Sequence, residues 1–153
     1  MATGSEVMEF VSYSSRRGRH LLHMCFKIKY CHEVFDDKTV QKRCEEIFKQ
    51  VEVREDKFVI DEIGFDRNHV HTILELGPEA SEAYVVKKLK GTSAKFLLRE
   101  FPYLKAQYFW GSGLWNPGYF CESLGDSTYE NKKSYVKNQG IPRGQMKLTG
   151  FLN

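Results

Sequence analysis

Apolar residues along the chain fall into two spacings, and these predict seven elements. Residues 20–30, HLLHMCFKIKY, end in a roughly alternating run with strand character. Over 38–51, Val40, Cys44, Ile47, Phe48 and Val51 recur at helical spacing, with Asp36 and Asp37 as caps. Residues 57–65, KFVIDEIGF, and 68–76, NHVHTILEL, are strand-like runs joined by a short turn, which predicts a hairpin. The helical pattern returns over 81–100 through Val85, Leu89, Phe96 and Leu97, with Ser81 as N-cap and Pro102 just beyond the end. After Asn116-Pro117-Gly118 a fourth strand covers 118–124. A last helix covers 127–139, with Asp126 or Ser127 as N-cap and Gly140 past its end.

The order β-α-β-β-α-β-α is that of an α+β, ferredoxin-like split βαβ sandwich with one helix added at the C-terminus. Right-handed crossovers make the first and third strands central and put the two helices of the unit on one face. The other face is left for a ligand or for the added helix. With 153 residues and neither repeat nor linker, the chain reads as a single domain, 1–153, whose first 15 or so residues are loosely held.

Charge sharpens this picture. Residues 10–32 carry Arg16, Arg17, Arg19, Lys27 and Lys29 with no acid, and residues 132–153 carry Lys132, Lys133, Lys137, Arg143 and Lys147 with no acid. Between them, residues 33–66 hold eleven acids against six bases. Segregation of sign suggests a polyanion on one face, although an unevenly charged solvated surface gives the same count. Cys25, Cys31, Cys44 and Cys121 show no CxxC pairing, so they are expected to be reduced thiols that pack in the core. No apolar run is long enough for a membrane helix, and the start has no signal-peptide pattern.

Two pairs of residues carry candidate chemistry. In His69-Val70-His71, positions i and i+2 of a strand point the same way, so both imidazoles could close on one metal ion while Val70, Ile73 and Leu74 go to the core. Two histidines leave such a site incomplete, and surface polarity of a hairpin would explain them equally well. In the last helix Tyr135 and Gln139 are one turn apart on one face. The Gln139 carbonyl is a suitable hard ligand beside two histidines; the plainer reading is that Tyr135 packs with Val136 on the helix's buried side. Taken together the pairs make chemical sense. A phenol is a weak nucleophile at neutral pH, and attack on a phosphodiester is helped by a divalent ion that polarises the phosphate. Lys132, Lys133 and Lys137 on the same helix are placed to hold a DNA backbone. Attack by tyrosine rather than water would store the bond as a phosphotyrosine, which a DNA hydroxyl can reverse without ATP.

The segments HLLHMCFKIKYCHEVFD, FDRNHVHTILELGP, LKGTSAKFLLREFP, LWNPGYFCESLG and YVKNQG, in that order over roughly 20–140, resemble the single-tyrosine HUH transposases of small insertion sequences that move as single-stranded DNA. The resemblance implies that His69 and His71 are metal ligands and that Gln139 completes the site. It implies that Tyr135 becomes linked to a DNA 5′-phosphate and that the ion is Mg²⁺ or Mn²⁺. Tyr129 is the rival tyrosine, but it lacks a glutamine four residues on. Enzymes of this kind are homodimers with joined sheets, in which one subunit's tyrosine helix can complete the other's metal site; the link at Gly125-Asp126 is the candidate hinge. The implied substrate is single-stranded DNA with hairpins at the element's ends, met in the cytoplasm on the nucleoid.

Arg16, Arg17 and Arg19 are the expected grip on the hairpin backbone, and Lys90 is a further candidate. The stretch 101–120 could supply stacking rings, although Phe101, Tyr108, Trp110 and Trp115 read more simply as core. His20, His23 and His32 fall outside the motif and are expected to be structural or surface residues. Two alternatives stand beside the transposase. One is a domesticated relative acting on chromosomal repeat hairpins. The other is a non-catalytic nucleic-acid-binding module, which would bind without metal and which the lack of aromatic RNA-binding signatures disfavours.

Overall fold

The computed structural model describes residues 19–108 and 113–141. Within them lie β1 (Leu21–Lys27), α1 (Lys38–Glu55), β2 (Phe58–Asp66), β3 (His69–Leu76), α2 (Glu82–Glu100), α3 (Pro102–Gln107), β4 (Phe120–Leu124) and α4 (Asp126–Lys137). The element order is the ferredoxin-like one expected, with the short α3 added after α2 and beginning at Pro102, whose fixed φ suits the first turn of a helix. Asp37 and Ser81 cap α1 and α2 by accepting from the backbone N–H of Thr39 and Tyr84. Helix α4 starts one residue earlier than its composition suggests: Gly125 is its N-cap, and Asp126 is the acid in its first turn.

The four strands form one antiparallel sheet in the order β2-β3-β1-β4, so β1 and β3 are central. Helices α1 and α2 pack against each other and cover one face, while α4 lies on the other against β2 and β3. The main core fills the first face. Leu22, Met24, Phe26, Val70 and Leu74 meet Val40, Ile47, Phe48, Val85 and Leu89 there. Trp115 is also in this core, where its indole N–H donates to Ser93 Oγ at 2.9 Å, and Phe101 and Tyr108 pack against its edge. Trp110 is outside the described residues.

A smaller cluster, Leu21, Ile73, Tyr129 and Val136, seals α4 onto the opposite face. Ile73 therefore does not share a core with Val70 and Leu74; strand alternation sends it to the other side. On β2 the pairing slips between Ile60 and Glu62, which leaves Asp61 as an extra residue. This bulge is written in the spacing of Phe58, Ile60, Ile63 and Phe65, where an interval of three interrupts intervals of two. It keeps all four side chains turned to the main core and frees Asp61 to meet α4, where it accepts a hydrogen bond from the Tyr129 hydroxyl.

Candidate active site

The site lies on the face beneath α4. The register puts Phe120, Cys25, His71 and Gly64 side by side across all four strands, with Lys27 opposite His69 and His69 opposite Asp66. His69 and His71 project together as the i, i+2 spacing requires, their rings 4.8 Å apart. The donor atoms of Cys25, His69 and His71 all fall within 4.8 Å of one another. Cys25 Sγ stands 3.9 Å from His71 Nε2, so this cysteine faces the histidines rather than the main core where packing was expected to take it. Burial pushes its thiol pKa up.

Both histidines engage Nδ1 elsewhere. His69 Nδ1 is 2.7 Å from Asn68 Oδ1, and His71 Nδ1 is 2.9 Å from His23 Nε2. That leaves His71 Nε2 facing the space that Cys25 Sγ also borders, with a ring nitrogen of His69 within 4.8 Å of both. The Asp66 carboxylate lies 3.8 Å from His69 Nε2. Burial is the largest cause lowering both imidazole pKa values, and for His71 the neighbouring His69 and His23 add to it and bring the value to about 3. The pair is therefore neutral near pH 7, with lone pairs ready for a cation. Two imidazole nitrogens, a carboxamide, a carboxylate and a thiol fit a divalent ion.

Helix α4 completes the site from above. A Cβ built on Gly64 would stand 1.7 Å from the Val136 carbonyl oxygen, so the helix rests directly on the glycine's backbone. Past the helix, Gly140 takes φ 76° as the chain turns under Phe65. This docking sets Gln139 beside the His69 ring, with its amide N–H donating to the Tyr135 carbonyl at 3.2 Å, and brings Tyr135 to 5.4 Å from the His71 ring, centroid to centroid. Tyr135 is 45% exposed, open to a ligand and not packed away with Val136, which is fully buried. The helix does this on the sheet of its own chain. Tyr129 is fully buried instead, with its hydroxyl on Asp61 and the Arg19 guanidinium 5.1 Å above its ring.

The basic residues separate into groups. Arg16 and Arg17 lie outside the described residues. Arg19 is a correction to the expected backbone grip: its side chain is only 6% exposed and donates from Nε to Glu75 at 2.9 Å. Lys133 turns inward to Asp61 and the Tyr129 hydroxyl. Lys132 reaches Glu122 at 3.0 Å and stands 5.4 Å from the Tyr135 ring centre. Lys137 is exposed. Lys90 donates to the carbonyls of Asn116 and Gly118, which staples the loop before β4. Near the histidines, a cavity of about 250 Å³ is lined by Cys25, Lys27, Asn116, Gly118, Tyr119 and Phe120.

Sequence reasoning missed His23, Cys25, Asp66, Asn68 and Glu122 as neighbours of the site. The alternation of His23, Cys25 and Lys27 on one face of β1 was readable, but the register that aligns them with His69 and His71 was not.

A sheet-borne histidine pair facing a tyrosine on α4 and a glutamine just past its end defines the chain as a single-tyrosine HUH protein. The comparisons agree. Residues 17–139 match the family "Transposase IS200 like", and the chain belongs to that family. It is 30% identical to the ISDra2 transposase TnpA of Deinococcus radiodurans over 117 residues, 76% of this chain and 81% of that one. It is 28% identical to the transposase of insertion sequence IS200 of Salmonella typhimurium over 124 residues, covering 76% and 74%. A crystal structure from Deinococcus radiodurans, assigned as a transposase, superposes with a TM-score of 0.67 at 26% identity, covering 86% of this chain and 99% of that one. A REP-associated tyrosine transposase bound to a REP hairpin shares the fold, with a TM-score of 0.56 at 14% identity over 82% and 70% of the two chains. Among the described residues no helix is long and apolar enough to cross a membrane.

Proposed function

We propose that this transposase cuts and rejoins single-stranded DNA at hairpin-marked ends through a 5′-phosphotyrosine on Tyr135, with Mg²⁺ or Mn²⁺ held by His69, His71 and Gln139. The observation that carries this reading is the convergence of an exposed phenol on two neutral imidazoles with ring nitrogens within 4.8 Å of one another. A bound divalent ion would polarise the scissile phosphate and offset the charge that develops on it. The Tyr135 oxygen attacks phosphorus and forms the O–P bond as the bond from phosphorus to the 3′-oxygen breaks. The phenol proton is lost, and the departing 3′-oxygen takes up a proton to become a hydroxyl. Attack by a 3′-hydroxyl on the phosphotyrosine runs the same exchange backwards and joins strands.

The remaining residues of the site suit DNA. Lys137, on the tyrosine helix, and Lys27, beside the cavity near Cys25, carry charge for phosphates. Tyr119 and Phe120, 39% and 49% exposed, offer ring faces to an unpaired base at that cavity. The hairpin named with the REP-associated transposase supports a folded single strand as substrate. A homodimer belongs to the same reading: β2 and β4 are sheet edges, through which a second sheet could add.

The test is incubation with labelled hairpin-bearing single strands and Mn²⁺, followed by a denaturing gel. A covalent protein–DNA band that needs the metal is expected. Binding with neither band nor metal requirement would instead indicate a non-catalytic module.

A further inference from the structure

We propose that Glu122 and His23 are a positioning relay that holds His71 in the tautomer able to bind a cation, and that Lys132 ties this relay to the helix bearing Tyr135. The proposal rests on the metal reading of His69 and His71 above. The relay runs across three strands. Lys132 Nζ lies 3.0 Å from Glu122 Oε1. The same oxygen is 3.1 Å from His23 Nδ1, and His23 Nε2 is 2.9 Å from His71 Nδ1.

The order of donors follows from the carboxylate. An ionised Glu122 only accepts, so His23 Nδ1 carries the hydrogen between them. A neutral imidazole has one N–H, so His23 Nε2 accepts, and His71 Nδ1 must donate to it. The lone pair of His71 is then at Nε2, on the side of Cys25 and His69. The side chain of His23 is 4% exposed and its ring lies within 17° of the plane of the His71 ring, centroids 5.1 Å apart, so bulk water does not set its tautomer. Glu122 and His23 are register partners on β4 and β1, which keeps their spacing fixed by the sheet. Because Lys132 is on α4, one carboxylate bonds both the imidazole pair and the helix that presents Tyr135. A histidine present only to fill space would need neither partner.

The relay is tested by two measurements on the full chain. Long-range ¹⁵N NMR of the metal-free protein should show His71 protonated at Nδ1. In Glu122→Ala and in His23→Leu the Nε2-protonated form should grow. Titration calorimetry with Mn²⁺ should show affinity falling about ten- to a hundredfold in both variants, the range typical of losing a partner behind a metal-bound histidine. His23→Gln, whose carboxamide can accept from His71 and donate to Glu122, should restore affinity to within about threefold of the parent and keep the parental tautomer. If His23→Leu does not fold, Glu122→Ala and His23→Gln decide the matter. Parental tautomer and parental Mn²⁺ affinity in Glu122→Ala, with binding lost in His69→Ala, would overturn the relay alone. No Mn²⁺ uptake by the unaltered protein would overturn the metal reading and the relay with it.

Discussion

The carbonyl of Val136 rests on Gly64: no side chain of any size fits between the tyrosine helix and β2 at this point. Gly64 is also the register partner of His71. Glycine here therefore sets the height of α4 above the histidines, and with it the reach of Tyr135 and Gln139. In Gly64→Ala the helix must shift by more than an ångström. Misplacement on that scale costs about a hundredfold in rate. Adduct formation measured over time should fall by about that factor, with hairpin binding by gel shift changed much less.

Tyr135 and Tyr129 should separate cleanly. Tyr135→Phe keeps the ring and removes the attacking oxygen, so the covalent band disappears while DNA binding persists. Tyr129→Phe removes a buried hydroxyl and takes from Asp61 its hydrogen-bond donor, leaving the longer ion pair with Lys133. It should keep the band and lower unfolding stability by about 1–3 kcal/mol in urea titrations. A band lost in Tyr129→Phe and kept in Tyr135→Phe would reassign the nucleophile.

His69→Ala and His71→Ala should each abolish Mn²⁺-dependent cleavage, as should chelation of the parent with EDTA. Restoring Mn²⁺ should rescue the chelated parent and neither variant. Cleavage by either variant at the parental rate would remove that histidine from the ligand set.

Cys25 makes the donor set softer than two histidines and a glutamine alone. Thiolate favours Zn²⁺ over Mg²⁺ and Mn²⁺. Cys25→Ala should weaken Zn²⁺ binding by more than about tenfold while changing Mn²⁺ binding little, both read by competition titration. Equal losses for the two ions would show that the thiol has no such preference.

Lys137 and Lys133 sit four residues apart on α4 and should behave differently. Lys137 is exposed, so Lys137→Ala should weaken single-strand binding and reduce its salt dependence by about one phosphate contact. Lys133 serves Asp61 and the Tyr129 hydroxyl. Lys133→Ala should leave the salt slope unchanged and lower the melting temperature. Reversal of the two outcomes would exchange their roles.

Local patterning alone determined the order of the four strands and of α1, α2 and α4, the central strands and the pairing of His69 with His71 and of Tyr135 with Gln139. Those features depend on periods of 2 and 3.6 residues and on caps, which are written in neighbouring positions. Tertiary structure decided the rest, because it depends on which strand residue lies opposite which. Register set Cys25 and Gly64 beside His71 and set Glu122 beside His23. The bulge at Asp61 turned a surface acid into the partner of a buried tyrosine, and ion pairs drew Arg19 to Glu75 and Lys133 to Asp61. A one-residue slip of pairing would have sent Cys25, His23 or Glu122 to the opposite face of the sheet, and local composition carries little record of that choice.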